Sequence, residues 1–259
     1  MAADELQGRR VLVTRPAERG EALALAIEAA GGSARRWPTI VIEPVASPAI
    51  AAGGAWAYDV VLFVSPAAVA YGCAALGLER AVPPPIGVVG AATRAALSEH
   101  GLGVAIEPEG SQDTPGLLRA PALAADRIAG RRVLIVRGEG GREDLAAALM
   151  ARGATVDYAE VYRRRRPSGL DPAATDDCDI VTATSAEGLH NLVDLLDRER
   201  RARLVARPLV VNSQRIAAAA ITLGFAQRPY VAPAPGDDGL LRAIRAAAAG
   251  LAQGPSESA

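Results

Sequence analysis

VLIVRGEGGRED, residues 133–144, opens on four apolar residues and closes on the polar start of a helical pattern that carries Leu145 and Leu149 on one face. A short, unbroken apolar run of this kind predicts a strand buried on both faces, as in a parallel sheet. VLVTRPAERG, residues 11–20, has the same outline and leads into an alanine-rich helix with Leu23 and Ile27 on one face. Val11 and Val133, Ile27 and Leu149, and Gly31 and Gly153 are each separated by about 122 residues, the offset that an internal duplication leaves. In both copies glycine stops the helix.

The offset recurs further along the chain. VVLFVSPAAVAYGCAAL (60–76) parallels IVTATSAEGLHNLVDLL (180–196), with Ser65 opposite Ser185 and Val69 opposite Leu189. IGVVGAATRAALSEHGL (86–102) parallels LVVNSQRIAAAAITLGF (209–225), with Gly101 and Gly224 as matching helix stops. PGLL (115–118) and DGLL (238–241) each open a further helix. Strands alternating with helices in two copies predict an α/β chain of two similar doubly wound parallel-sheet domains, flavodoxin- or Rossmann-like.

SARRWPTIVIEPV (33–45) falls opposite TVDYAEVYRRRRP (155–167), and two connectivities fit this correspondence. Each copy folds by itself, or the chain leaves after its first unit, builds the other domain and returns. In the second case TIVIEP and VYRRRR are extended crossings able to pair. Spacing alone does not choose between them.

Composition excludes several classes of function. Half of the 259 residues are hydrophobic, ample for a buried core, and 28 basic residues, all arginine, stand against 29 acidic ones. A formal charge of −1 offers no overall field for nucleic acid, and EVYRRRRP (160–167) lacks the interleaved aromatics or basic helix of such a site. In an extended strand Arg163 and Arg165 point one way and Arg164 and Arg166 the other, so one pair faces Glu43 or ligand carboxylates. No apolar run reaches the roughly 18 residues of a membrane span, and MAADELQGRR is unlike a signal peptide. Cys73 and Cys178 read as buried thiols, and His100 and His190 stand in separate helices without partner ligands. The expectation is a reduced, cytoplasmic, monomeric protein without a transition-metal site and without membrane or nucleic-acid partners.

Ligands of open parallel sheets sit beyond the carboxyl ends of the strands. The turns there hold Arg15, Ser65, Thr93, Arg137 with Gly138, Ser185, Asn212, Ser213 and Gln214. Hydroxyls, backbone N–H groups and two arginines suit an anionic ligand. Ser65, Ser185 and Ser213 equally suit helix N-caps, and Arg15 and Arg137 suit either a ligand or an ion pair. RGEGGRE (137–143) has neither GxGxxG spacing nor a P-loop ending. Asp176, Asp177 and Asp179 read as a solvated loop before a strand. These turns hold no nucleophile–base pair, paired catalytic carboxylates or histidine.

In order along the chain, VLVTRP, FVSPAAV, VVGAAT, VLIVRGEGGRE, EVYRR, TSAEGL and PGDDGLL resemble the uroporphyrinogen-III synthase family, from about Val11 to Ile244. The resemblance implies the returning connectivity, with residues 1–38 and 167–259 in one domain, 45–160 in the other, and 39–44 and 161–166 as linker strands. It implies dehydration and cyclisation of hydroxymethylbilane, a linear tetrapyrrole, through a spiro intermediate that inverts the last pyrrole ring, in a cleft between the domains. No metal or organic cofactor is implied; a transient contact with the upstream hydroxymethylbilane synthase, which supplies the unstable substrate, is.

By similarity Tyr162, in EVYRR, is the general acid, and a phenol is protonated at neutral pH as an acid must be; the alternative is a packed interfacial tyrosine. Where many members carry a glycine-opened, threonine-bearing turn, this chain has Val211-Asn212-Ser213-Gln214-Arg215, so threonine contacts do not transfer. A non-catalytic tetrapyrrole-binding sensor would be expected to carry an effector domain, whereas this chain ends in the polar GPSESA. A two-domain anion-binding protein of the periplasmic kind would need a signal peptide.

Overall fold

Short apolar strands and alanine-rich helices alternate as the sequence pattern requires. The computed structural model describes residues 5–45 and 50–253; the first four residues and GPSESA lie outside them. The chain divides into two compact units, Met1–Val41 with Arg165–Ala259, and Ile42–Arg164, and passes between them twice.

The first unit begins with β1 (Arg10–Val13), α1 (Ala17–Ala29) and β2 (Ser33–Arg36). The second is built from β3 (Val41–Pro44), β4 (Val60–Phe63), α2 (Pro66–Leu76), β5 (Ile86–Val88), α3 (Ala91–Glu99), α4 (Thr114–Leu118), α5 (Ala125–Ile128), β6 (Arg132–Gly138), α6 (Asp144–Ala151) and β7 (Thr155–Arg165). The chain then completes the first unit with β8 (Ile180–Ala183), α7 (Ala186–Asp194), α8 (Arg198–Val205), β9 (Leu209–Val211), α9 (Gln214–Thr222), β10 (Tyr230–Val231) and α10 (Asp237–Gln253).

The strand orders show the duplication directly. One sheet runs β10-β9-β8-β1-β2, the other β3-β7-β6-β4-β5. The series β2, β1, β8, β9 and β7, β6, β4, β5 correspond strand by strand, and all these pairs are parallel. Where β10 pairs with β9, the described residues of the second unit show an isolated bridge between Gly87 and Ile106.

Both faces of each sheet are covered, as continuous apolar strands demand. In the second unit Val61, Phe63, Leu134 and Val136 pack against α2 and α3, while Val60, Leu62, Val133 and Ile135 pack against α4, α5 and α6. In the first unit Leu12, Val181 and Val211 face α7, α8 and α9, and Val11, Val13 and Ile180 face α1 and α10.

A carboxylate clamp is duplicated with the strands. Asp59 accepts from the Arg132 backbone N–H at 2.8 Å and returns its own N–H to the Arg132 carbonyl at 2.8 Å. Asp179 does the same with Arg10, again at 2.8 Å in both directions. Thus Asp179, read from sequence as part of a solvated loop, fastens the start of β1 to β8. Asp176 pairs with Arg200 and Arg203 of α8.

One irregularity re-aims β7. Arg137 of β6 pairs with Glu160, but the next residue, Gly138, pairs with Tyr162, leaving one extra residue on β7. Such a bulge resets the two-residue alternation. Val161 and Tyr162 both enter the core cluster with Val136 and Phe63, which an uninterrupted strand would not allow. Beyond the bulge Arg163 donates to Glu43 of β3 at 3.0 Å, and Arg166 to Asp194 of α7 at 2.9 Å.

Candidate active site

In the second unit the sheet order reverses between β4 and β6, because the chain builds outward from β4 to β5 but from β6 to β7 on the other side. A crevice forms at such a point, beyond the carboxyl ends of the strands. Here it is a cavity of about 400 Å³, walled by Val64 and Ser65 after β4, Val89 after β5, the end of β6 with its loop to α6, Asp113 and Thr114 at the start of α4, and Tyr162 and Arg164 of β7.

Tyr162 is held from several sides. Its ring lies against Gly138, where a Cβ would stand 2.5 Å from it, so only glycine lets the ring approach this strand. Its carbonyl accepts from the Glu139 N–H at 2.8 Å, and its ring centroid lies 6.0 Å from that of Tyr71. Its hydroxyl stands 3.3 Å from Ser65 Oγ, either atom able to donate. The Arg164 guanidinium carbon lies 6.0 Å from the ring centroid. Although 4 % exposed, Tyr162 lines the cavity.

Ser65 has two roles at once. Its Oγ accepts from the Ala68 N–H at 3.1 Å and so caps α2. Ser185 caps α7 in the same way, accepting from Gly188 at 2.9 Å. Ser213 occupies the N-cap position of α9 without a side-chain cap bond; the exposed Asn212 and Gln214 flank it. Thr93 is buried in α3, 3 % exposed, and does not line the cavity.

Both candidate arginines are engaged by protein carboxylates. Arg15 pairs with Asp237 at the start of α10. Arg137 donates to Glu143 at 2.9 Å, to Glu160 at 3.1 Å, and to the carbonyls of Gly141 and Arg142 at 3.2 and 3.3 Å. Its guanidinium carbon lies 3.5 Å from the centroid of the Tyr158 ring, whose hydroxyl donates to Glu143. Burial opposes the Arg137 charge, but Glu143 and Glu160 outweigh it and raise its pKa above the ordinary value. Burial, then Glu143, push the Tyr158 phenol up to about 12. The Tyr158 hydroxyl and then Arg137 hold Glu143 below the usual carboxylate range.

Sequence reasoning missed Glu143, Tyr158 and Glu160. The signal was faint but present: Tyr158 and Glu160 share a strand face by two-residue spacing, opposite Ile135 and Arg137. Cys73 and Cys178 are buried free thiols, their pKa values pushed by burial up to about 12 and about 11. Among the described residues no group of three histidine, cysteine or carboxylate side chains is placed to hold a metal ion, and no helix is long and apolar enough to cross a membrane.

The family model described as uroporphyrinogen-III synthase HemD matches residues 21–242. The uroporphyrinogen-III synthase of Salmonella typhimurium is 36% identical, the match covering 91% of this chain and 99% of that protein. The Escherichia coli enzyme is 33% identical with the same coverage. Among solved structures, the synthase of Helicobacter pylori matches with a TM-score of 0.59 at 15% identity, covering 90% of this chain and 96% of its own. A mutant synthase of Thermus thermophilus matches at 0.54 and 19% identity, covering 92% and 98%. These structures share the fold. The extent of the family match and the near-complete coverage of the curated relatives show that the chain belongs to the uroporphyrinogen-III synthase family of cyclising lyases.

Proposed function

We propose that the cavity at the ends of β4, β5 and β6 takes the reacting end of hydroxymethylbilane, and that Tyr162 is the acid that protonates its departing hydroxyl. At about 400 Å³ the cavity is at the small end for a drug-sized ligand, so it takes the reacting end rather than all four rings. The observation that carries the reading is Tyr162 in the cavity wall, its ring seated on Gly138 and its hydroxyl oxygen 3.3 Å from that of Ser65, which lines the same cavity.

Proton transfer from the phenol lets the hydroxyl leave as water and gives an electrophilic azafulvenium cation beside the phenolate. The substituted carbon of the terminal pyrrole attacks it, and the spiro intermediate fragments and recloses with that ring inverted. When the new ring system regains aromaticity a proton is released, and it restores the phenol. Uncatalysed closure leaves the ring uninverted, so the protein's main contribution is to hold the two ends in the productive orientation. The acid adds a factor of about 10² to 10⁴.

Ser65, Gly138 and the Asn212–Gln214 turn with Ser213 remain the candidate contacts for substrate carboxylates or pyrrole N–H groups. Ser185 is a candidate whose hydroxyl is shared with a helix cap, as in Ser65. Arg15 and Thr93 are weaker candidates, the one ion-paired and the other buried. The same reading has the enzyme working as a cytoplasmic monomer, without metal or organic cofactor, on substrate taken from hydroxymethylbilane synthase by transient contact.

The deciding experiment supplies hydroxymethylbilane and separates the products. Formation of the inverted, type III isomer supports the reading. Binding of substrate with formation of the type I isomer alone would instead make the chain a tetrapyrrole-binding sensor. For the acid, Tyr162→Phe should lower kcat with little change in KM, and an unchanged kcat returns Tyr162 to a packing role.

A further inference from the structure

Arg137 is built into the wall of the cavity in a way that a direct carboxylate ligand is not. Its side chain is 7% exposed, and its hydrogen bonds fan out over the loop that follows β6. Nη1 holds the carbonyls of Gly141 and Arg142 and the carboxylate of Glu143, while Nε and Nη2 hold Glu160 at 3.3 and 3.1 Å. In a trans peptide the next N–H points opposite to the carbonyl. Gripping those two carbonyls therefore turns the N–H groups of Arg142 and Glu143 away from the guanidinium. Tyr158 closes the ring of contacts, stacked on Arg137 and donating to Glu143.

The braced loop bears directly on Tyr162. Gly138, at the start of the loop, pairs with Tyr162 across the bulge and lies under its ring, and Glu139 donates to the Tyr162 carbonyl. The far end of the loop lacks a side-chain cap: Glu143 stands at the N-cap position of α6 and makes no side-chain cap bond. The loop conformation thus depends on Arg137.

We infer that Arg137 is a positioning residue, which with Glu143, Glu160 and Tyr158 locks the 138–143 loop and through it fixes the Tyr162 hydroxyl in the cavity. This rests on the reading of Tyr162 as the acid. It also replaces the expectation that Arg137 grips a substrate carboxylate: the arginine is occupied by protein acceptors and its effect passes through the loop.

The test is a cycle of Arg137→Gln and Tyr162→Phe, with kcat and KM measured on hydroxymethylbilane. Arg137→Gln should lower kcat about ten- to hundredfold with KM nearly unchanged. In the Tyr162→Phe background the same change should cost little more, because the group it positions has gone. A rise in KM at unchanged kcat would overturn the inference and make Arg137 a carboxylate ligand. A full, additive loss of kcat in the Tyr162→Phe background would also overturn it, while leaving Tyr162 as the acid. An unchanged kcat for Tyr162→Phe alone would sink the reading of the acid instead. If Arg137→Gln does not fold, Glu143→Gln, at a carboxylate that is 65% exposed, replaces it in the same cycle; a several-fold fall in kcat confined to the Tyr162 background supports the inference, and no change overturns it.

Discussion

A Cβ placed on Gly138 would stand 2.5 Å from the ring of Tyr162, closer than any tolerated contact, so the two residues are matched in shape across β6 and β7. Gly138→Ala must push aside a ring that is nearly fully buried. We expect a stability loss of about 1–3 kcal/mol, the usual range for overpacking, and a fall in kcat larger than the fall in substrate affinity. Denaturant melts alongside steady-state kinetics check both.

The two serine caps separate stability from chemistry. Ser65→Ala and Ser185→Ala should each cost about 1 kcal/mol, since each removes one N-cap bond of 3.1 or 2.9 Å. Ser65→Ala should in addition lower kcat, because its hydroxyl also meets Tyr162. Ser65→Thr, which keeps the hydroxyl, should recover both. Equal kinetics for Ser65→Ala and wild type would confine Ser65 to capping.

Ser213 provides the complementary case. It makes no side-chain cap bond, so Ser213→Ala should leave the melting curve unchanged, and any rise in KM then reports a substrate contact. A loss of stability comparable to that of Ser185→Ala would show instead that this serine serves the helix.

The duplicated aspartate clamp sets a pH dependence. The Arg132 N–H, then the Arg131 guanidinium, lower the Asp59 pKa. For Asp179 burial acts in the raising direction, but the Arg10 N–H and guanidinium outweigh it and the pKa again falls. A carboxyl group with a folded-state pKa below its unfolded value stabilises fully above the unfolded value of about 4 and loses that contribution as pH falls through the folded value. The Asp59→Asn/Asp179→Asn variant should therefore be less stable than wild type at pH 7, with the gap closing towards pH 3. A gap that persists undiminished in acid would show that charge is not what the clamp supplies.

Two further glycines mark the duplication physically. A Cβ on Gly116 would stand 1.7 Å from the Ser111 carbonyl oxygen, and one on Gly239 1.8 Å from that of Ala234. Both contacts are to backbone, which cannot swing aside as a side chain does. Gly116→Ala and Gly239→Ala should each cost about 3 kcal/mol, the upper end for overpacking. Urea titration of each variant measures this, and near-neutral behaviour would mean that the loops before α4 and α10 yield more easily than their close packing implies.

Local pattern was enough to read the architecture. Four-residue apolar runs, glycine stops and a constant offset are properties of neighbouring residues, and they announced two parallel α/β units, their core strands and the serine turns before α2 and α7. The caps at Ser65 and Ser185 follow from the same local rule. The strands β2 and β10 and the helix α8 were not read, because SARR, YV and RERRARLV carry no apolar periodicity of their own; they are ordered by what they pack against.

The sequence by itself determined that this chain is a duplicated α/β protein with the ordered motifs of its family, and it singled out Tyr162. Only the tertiary structure decided what the neighbouring groups do. Whether Arg137 meets a ligand or an ion pair depends on β6 and β7 lying side by side in one register, which brings Glu160 and Tyr158 beside it from more than twenty residues away. Whether Tyr162 faces the arginines' side or the core depends on a single extra residue on β7 after Glu160. Periodicity in a sequence assumes an unbroken strand, and a bulge is a property of the pair.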